Sequence, residues 1–147
     1  MDICPLYAAL PHKKQMKVFE PAPEGTRKVV LATNIAETSI TINGIKYVVD
    51  CGLVKARVYN PRIGIDSLIV IPVSKAAARQ RAGRAGRESA GICYRVFTER
   101  SFNELADSTI PEIKRCNLDN LILQMKALKI ENILNFPFIE SPPIASS

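Results

Sequence analysis

Lys28-Val-Val-Leu-Ala-Thr33 holds an unbroken apolar run from Val29 to Ala32, opened by two β-branched valines. A strand without polar alternation has both faces apolar, and such strands belong to parallel sheets covered by helices on each side. Tyr47-Val-Val-Asp-Cys51 repeats the pattern. Together they predict an α/β architecture with a parallel sheet flanked by helices. Between them lies Asn34-Ile-Ala-Glu-Thr-Ser-Ile-Thr-Ile-Asn-Gly44, a polar crossover at the carboxyl end of a strand. Ligands bind at such ends in open α/β sheets. Its hydroxyls and amides suit two roles: contacts to phosphates or sugar hydroxyls that carry no base information, or ordinary capping and turn chemistry.

Working outward, Ile3 to Ala8 predicts a short strand. Pro11 followed by His12 to Phe19 predicts a helix, with proline at its start, where a missing N–H does no harm. Pro21-Ala-Pro-Glu-Gly25 breaks the chain. Phe19, just before the break, is either a core residue or a flat surface for a base. His12 has no partner nearby in sequence and is expected to be an ordinary surface residue. Downstream, Val54-Lys-Ala-Arg-Val-Tyr59 alternates apolar with mostly basic residues, Asn60-Pro-Arg-Ile-Gly64 is a turn cluster, and Ser67-Leu-Ile-Val-Ile-Pro72 is apolar again. This predicts a β-hairpin with a basic side, projecting as a functional arm. Gly91-Ile-Cys-Tyr-Arg-Val-Phe97 supplies another strand. From Thr98 the composition turns acidic and helical. Pro111 to Asn117 predicts a connector, and Leu118, Leu121, Ile122, Met125 and Leu128 recur at helical spacing behind Asn117, a suitable cap. That stripe is expected to be core. The proline-broken tail Phe136 to Pro143 is apolar and is expected to pack against another domain.

Ser74-Lys-Ala-Ala-Ala-Arg-Gln-Arg-Ala-Gly-Arg-Ala-Gly-Arg87 places five basic side chains within thirteen residues, with no acid among them. The alanines favour a helix from Lys75. Continuing it would put Gln80, Arg84 and Arg87 on one face, with Arg81 about 100° round from Gln80, so that its lysine variant is expected to keep more activity than those of Arg84 or Arg87. Gly83 and Gly86 mark either a backbone that something approaches closely or the place where the helix ends. A guanidinium grips two phosphate oxygens at once and keeps its charge, so Arg84 and Arg87 suit the charge developing in phosphoryl transfer. The competing reading is a solvated arginine-rich face or a targeting patch.

Composition narrows the class. The 147 residues suit one domain, or one with part of another, and at 47% hydrophobic they can build a core. No run approaches the roughly 18 apolar residues of a membrane span, and no signal peptide opens the chain, so a soluble protein without a membrane partner is expected. Cys4, Cys51, Cys93 and Cys116 lack paired ligand spacing. They predict no metal site and no disulfide framework, but reduced, buried thiols in an intracellular compartment. The net charge is +6, and residues 44–87 carry nine basic and two acidic groups, against five and four before them and six and eight after. A basic middle third suits a phosphate-rich partner, nucleic acid first. Aromatic residues are 6% of the chain with no tryptophan, which gives little support to a stacking platform for single strands.

Taken together, Leu6-Tyr-Ala-Ala-Leu-Pro11, Phe19-Glu-Pro-Ala-Pro23, Ala32-Thr-Asn-Ile-Ala-Glu-Thr-Ser-Ile-Thr-Ile42, Tyr59-Asn-Pro61 and Gln80-Arg-Ala-Gly-Arg-Ala-Gly-Arg87 resemble the DEAH-box RNA helicases in order and spacing. The resemblance runs from about residue 4 to about residue 143. It implies a RecA-like (P-loop NTPase-like) fold: residues 1–97 as the second RecA-like domain with its hairpin at about 54–72, residues 98–117 as a connector, and residues 118–147 as the incomplete start of a winged-helix domain. The glycine-rich Gly-Lys-Thr phosphate loop and the Asp-Glu-Ala-His magnesium motif belong to the first RecA-like domain of that family, and neither occurs in this sequence.

By the same resemblance, Phe19 would stack on adenine, with Thr41 and Asn43 near the nucleotide; Asn43 stands where an acid is often found. Gln80 would help position the attacking water, and Arg84 and Arg87 would touch the β- and γ-phosphates. Thr33 and Asn34 would contact the RNA backbone, and Ser39 would lie in the loop that senses the γ-phosphate. Ala9 stands where a serine is common, which removes a side-chain contact to RNA. The implied activity is ATP-driven translocation on and unwinding of RNA, with residues 54 to 72 as the strand-separating hairpin, ATP and Mg2+ as cofactors and the metal ligands in the first RecA-like domain. The implied partners are RNA, the other domains of the same parent chain and an activating protein. The implied location is nuclear, nucleolar or cytoplasmic. The alternative is a nucleic-acid-binding or scaffold module without catalysis.

Overall fold

The computed structural model describes residues 1–60, 65–115 and 118–142. Its contacts divide the chain into two compact units: Met1–Val54 with Pro72–Thr109, and Lys55–Ile71 with Ile110–Ser147.

The first unit opens with β1 (Asp2–Leu6), which alternates buried Cys4 and Leu6 with exposed Ile3 and Pro5. α1 (His12–Met16) follows Pro11, and one 3-10 turn, Lys17–Phe19, continues it. The helix expected over His12 to Phe19 is therefore realised in two pieces. The chain then returns as β2 (Lys28–Ala32), parallel to β1 with Cys4 opposite Val30 and Leu6 opposite Ala32. Cys4, Leu6 and Val18 form the buried cluster, and Val30, Ile35, Ala36, Ile40 and Ile42 pack against it. Fully burying side chains of this size contributes about 1.5–3 kcal/mol each. The Lys28 ammonium donates to the carbonyls of Val18 and Glu20. A cation there satisfies the acceptors left at the carbonyl end of the preceding turn.

α2 (Ile35–Thr38) leads from β2 towards β3 (Tyr47–Asp50), which pairs in parallel with β6 (Ile92–Arg95), Val48 opposite Cys93. α3 (Lys75–Ala82) and α4 (Glu99–Asn103) complete this unit. The parallel direction was legible in the apolar runs, but burial on both faces was not realised. Leu31, Tyr47, Val49, Ile92 and Tyr94 are exposed on one side of the two pairs, because the packed elements of this unit lie against the other side.

In the second unit, β4 (Leu53–Asn60) pairs with β5 (Ile65–Pro72); the chain leaves the first unit within β4 and returns at the end of β5. Lys55 and Arg57 are exposed while Ala56 and Val58 are half-buried, giving the hairpin its basic side. Most of the turn expected over Asn60 to Gly64 lies outside the described residues. Arg115 donates to the carbonyl of Arg57 at 2.6 Å and accepts from the Tyr59 amide at 3.1 Å. α5 (Asp119–Ala127) ends with Lys129 at φ 62°, its amide on the Lys126 carbonyl and that of Ile130 on the Met125 carbonyl. This is a Schellman ending with a residue other than glycine in the left-handed position. The stripe expected to be core buries only Met125: Leu128 is 74% exposed and Ile122 is also exposed. The Asn117 cap and Cys116 fall outside the described residues, as does the end of the tail. Of the other thiols Cys4 is buried, Cys93 half-buried and Cys51 exposed, which corrects the expectation of uniform burial. No helix among the described residues is long and apolar enough to cross a membrane.

Gly91 fixes the turn after α3. A Cβ built there would collide with the carbonyl and side chain of Ala85, itself almost fully buried, whereas one built on Gly86 meets nothing within 4 Å. Gly91→Ala is therefore expected to cost about 1–3 kcal/mol, as overpacking does, and Gly86→Ala to cost less. Denaturant midpoints measure both; equal stability of the Gly91 variant and the parent would refute the close approach.

Candidate nucleotide and nucleic-acid interface

α3 starts where Ser74, nearly buried, accepts the Ala77 amide at 3.1 Å, the usual work of an N-cap serine. The amides of Lys75 and Ala76 donate to the carbonyls of Ala106 and Asp107 at 2.8 and 3.1 Å, so the first turn leaves few donors unmet. The helix stops at Ala82, with Gly83 as C-cap. Of the two roles open to the glycines, ending the helix is the one realised. Arg84 and Arg87 therefore stand on the following turn, not on a continued helical face with Gln80. Gln80 is exposed on α3 itself.

The arginine segment is fastened to the crossover that precedes β3. Arg81 Nε donates to Glu37 Oε1 at 2.7 Å, and Arg81 Nη1 donates to Asp50 Oδ1 at 2.9 Å and to the Leu53 carbonyl at 3.1 Å. Arg84 Nη1 donates to the Ile40 carbonyl at 3.1 Å, and Arg87 Nη1 to Thr41 Oγ1 at 2.7 Å. Glu88 closes the series by accepting the Gly44 amide at 2.9 Å. Successive residues of one segment thus meet successive residues of the other, from Glu37 to Gly44. Thr41 and Arg87, assigned separately by the resemblance, come together.

The three arginines differ in their surroundings. Arg81 is held by two carboxylates: burial opposes its charge, but the hydrogen bonds to Asp50 and Glu37 outweigh it and raise its pKa above the usual arginine value. Its direction, about 100° round from Gln80, is the one that meets Glu37 and Asp50. For Arg84, burial and then the like charge of Arg87 lower the pKa. A guanidinium is not deprotonated in proteins, so Arg84 stays charged at neutral pH. Neither Arg84 nor Arg87 has an ion pair among the described residues. Two guanidiniums close enough to repel, each resting on a neutral oxygen, suit an anion bridging both.

The remaining predicted residues surround this seam. Phe19 is 46% exposed, which removes the core reading of that ring. Its neighbour Val18 lies in the buried cluster against which Ile40 and Ile42, on either side of Thr41, also pack. Asn43 is exposed beside Gly44. Thr33, Asn34 and Ser39 are exposed at the two ends of α2. Asn34 occupies the cap position but makes no side-chain cap bond, and the turn is closed by backbone bonds from Ala36 to Thr33 and from Glu37 to Asn34. The Asn34 side chain thus makes no cap, and the residue is exposed. No group of three or more His, Cys, Asp or Glu able to hold a metal ion occurs among the described residues. The residues that sequence reasoning missed are Glu37 and Asp50. A buried acid at the end of an apolar strand, Tyr47-Val-Val-Asp50, was the available signal.

Residues 1–89 match the family model "Helicase conserved C-terminal domain". Over 146 residues the chain is 57% identical to the probable ATP-dependent RNA helicase DHX35 of Homo sapiens, covering 99% of this chain and 21% of that one. It is 62% identical to the pre-mRNA-splicing factor ATP-dependent RNA helicase DEAH10 of Arabidopsis thaliana, covering 93% and 19%. The solved structure of the Escherichia coli DEAH/RHA helicase HrpB superposes with a TM-score of 0.88 at 41% identity, over 97% of this chain and 18% of that one. The chain spans about a fifth of the length of the curated relatives it matches. The fold is RecA-like, as in that solved structure, and the chain belongs to the helicase conserved C-terminal domain family, with similarity to its DEAH-box members.

Proposed function

We propose that this chain is the second RecA-like domain of an ATP-dependent RNA helicase and supplies the electrophilic half of its ATP site together with contacts to the RNA backbone. The observation that carries the reading is the pair Arg84 and Arg87, charged, without an acidic partner among the described residues, and set beside Thr41. In this reading the first RecA-like domain brings the phosphate loop and the ligands of Mg2+, which when bound neutralises phosphate charge. Residues 118–147 begin a winged-helix domain, and the parent works on RNA in the nucleus, nucleolus or cytoplasm, with an activating protein partner.

Each residue then has a physical task. The guanidiniums of Arg84 and Arg87 leave neutral oxygens for phosphate oxygens, an exchange favoured by charge-assisted hydrogen bonds. Because the turn that carries them is held by Arg81 before the nucleotide arrives, they stabilise developing charge with little movement of the backbone. Gln80 orients water, Phe19 offers its exposed ring to the base, and Thr41 and Asn43 offer polar groups to the nucleotide. Thr33 and Asn34 face the RNA backbone, while Ser39, at the other end of α2, responds to the γ-phosphate.

The assignment of Arg87 is tested in the full-length helicase. Arg87→Lys keeps the charge but removes the planar fork, and ATP turnover is expected to fall on the order of a thousandfold, with RNA affinity changed less than about tenfold. Turnover near the parental rate would show that Arg87 is not a finger and that the segment is RNA-facing charge.

The chain by itself is expected to hydrolyse no ATP, since phosphoryl transfer needs a phosphate cradle and metal ligands as well as arginines. Magnesium-dependent turnover by the isolated chain, lost on Arg84→Ala, would contradict this. It is also expected to bind single-stranded RNA weakly and without strong sequence preference, with affinity falling steeply as salt rises. A salt-insensitive affinity, or one confined to a single short sequence, would overturn that expectation.

A further inference from the structure

α2 is short, yet its ends carry the residues assigned to two different ligands: Thr33 and Asn34 before it, and Ser39 just after it. Its middle is gripped from α3. The Glu37 and Arg81 side chains are each only 15% exposed, and that of Asp50 is 1% exposed. Arg81 uses Nε towards Glu37 and Nη1 towards Asp50 and the Leu53 carbonyl, so one planar group ties α2 to α3, to the end of β3 and to the start of β4. Asp50 is fixed in turn by the Gly52 amide at 2.9 Å. Gly52 itself has φ +70°, and a Cβ there would lie 2.7 Å from the Phe97 ring, so the backbone just after β3 lies close against that ring. Three residues beyond Arg81 the chain reaches Arg84, and three beyond that, Arg87.

We propose that Arg81 is a positioning residue that couples RNA contact to ATP turnover: through Glu37 it holds α2, and with it the Asn34 and Ser39 ends, in fixed relation to the turn bearing Arg84 and Arg87. It touches neither ligand. The two legs of the guanidinium have separate tasks. The Asp50 leg anchors Arg81 to the sheet, and the Glu37 leg transmits a displacement of α2 to the arginine turn. A strut of this kind acts on the rate at which bound RNA promotes turnover, because losing it leaves the phosphate- and RNA-contacting side chains present but no longer moving together.

This inference rests on the helicase reading above, and its test separates the two. In the full-length helicase, RNA-stimulated ATP turnover is measured for Glu37→Gln, Arg81→Gln and the double variant, with poly(U) as the RNA and thermal unfolding as a check on folding. Glu37→Gln leaves the Arg81–Asp50 anchor in place and so decides the matter even if Arg81→Gln fails to fold. The expected result is a loss of about tenfold in stimulated kcat for each single variant, with KM for ATP and for poly(U) within about threefold, roughly 0.65 kcal/mol. The double variant is expected to be no worse than the weaker single, since residues acting through one contact do not add. The proposal is overturned if Glu37→Gln keeps the parental stimulated kcat, if the two losses multiply, or if the loss lies in KM for poly(U). A parental helicase with no RNA-stimulated turnover, or one indifferent to Arg87→Lys, would instead remove the helicase reading itself.

Discussion

The bridge from Arg81 to Glu37 and Asp50 is the constraint on which the rest of the first unit depends. A nearly buried carboxylate is costly unless it is paired, and a nearly buried arginine equally so. Each of the three groups therefore requires the others, and their positions fix the elements that carry them: α2, the end of β3 and the last turn of α3. Lysine could not substitute, because a single ammonium does not span acceptors on three separate segments. With the bridge in place, the turn after α3 has few ways to lie. Gly91 lets the backbone of Ala85 press against the start of β6, and the Glu88 carboxylate on the Gly44 amide pins the far end.

This arrangement separates the arginines by task. Arg81 is neutralised by acids and is structural, whereas Arg84 and Arg87 rest on a carbonyl and a hydroxyl and keep their charge available. Had all three found carboxylates, the segment would be an ion-pair network with no affinity for an anion. Had none done so, three like charges on one short segment would repel and the turn would be loose. One anchored arginine holding two unneutralised ones is what a phosphate site needs: charge that is available and already in place.

The strands, their parallel direction and the hairpin were legible because they follow from local pattern: apolar runs for β2, β3 and β6, and alternation around Lys55 and Arg57 for β4. The end of α3 was legible as one of two roles for Gly83, but not the choice between them. The helical face joining Gln80, Arg84 and Arg87 was drawn by extending a period past a glycine that in fact ends it. The seam itself was not legible. Arg81 and Glu37 lie 44 residues apart, and nothing local to either names the other. The exposure of Leu31, Val49 and Tyr94 was missed for a related reason. An apolar residue in a strand shows that its face can be covered, not which element covers it. For Phe19, what spoke against the core reading was its exposure, which the sequence does not show.

The central claim is that Arg84 and Arg87 are phosphate ligands held in readiness by the Arg81 bridge to Glu37 and Asp50, which stays closed while they turn to the nucleotide. The most direct measurement is a crystal structure of the full-length helicase with single-stranded RNA, ADP and a fluoroaluminate mimic of the transferred phosphoryl group. The account requires both guanidiniums within about 3 Å of the phosphate or mimic, Arg87 released from Thr41, and Arg81 still bound to Glu37 and Asp50. A structure in which the mimic is held by other groups, while Arg84 stays on the Ile40 carbonyl and Arg87 on Thr41, would contradict it.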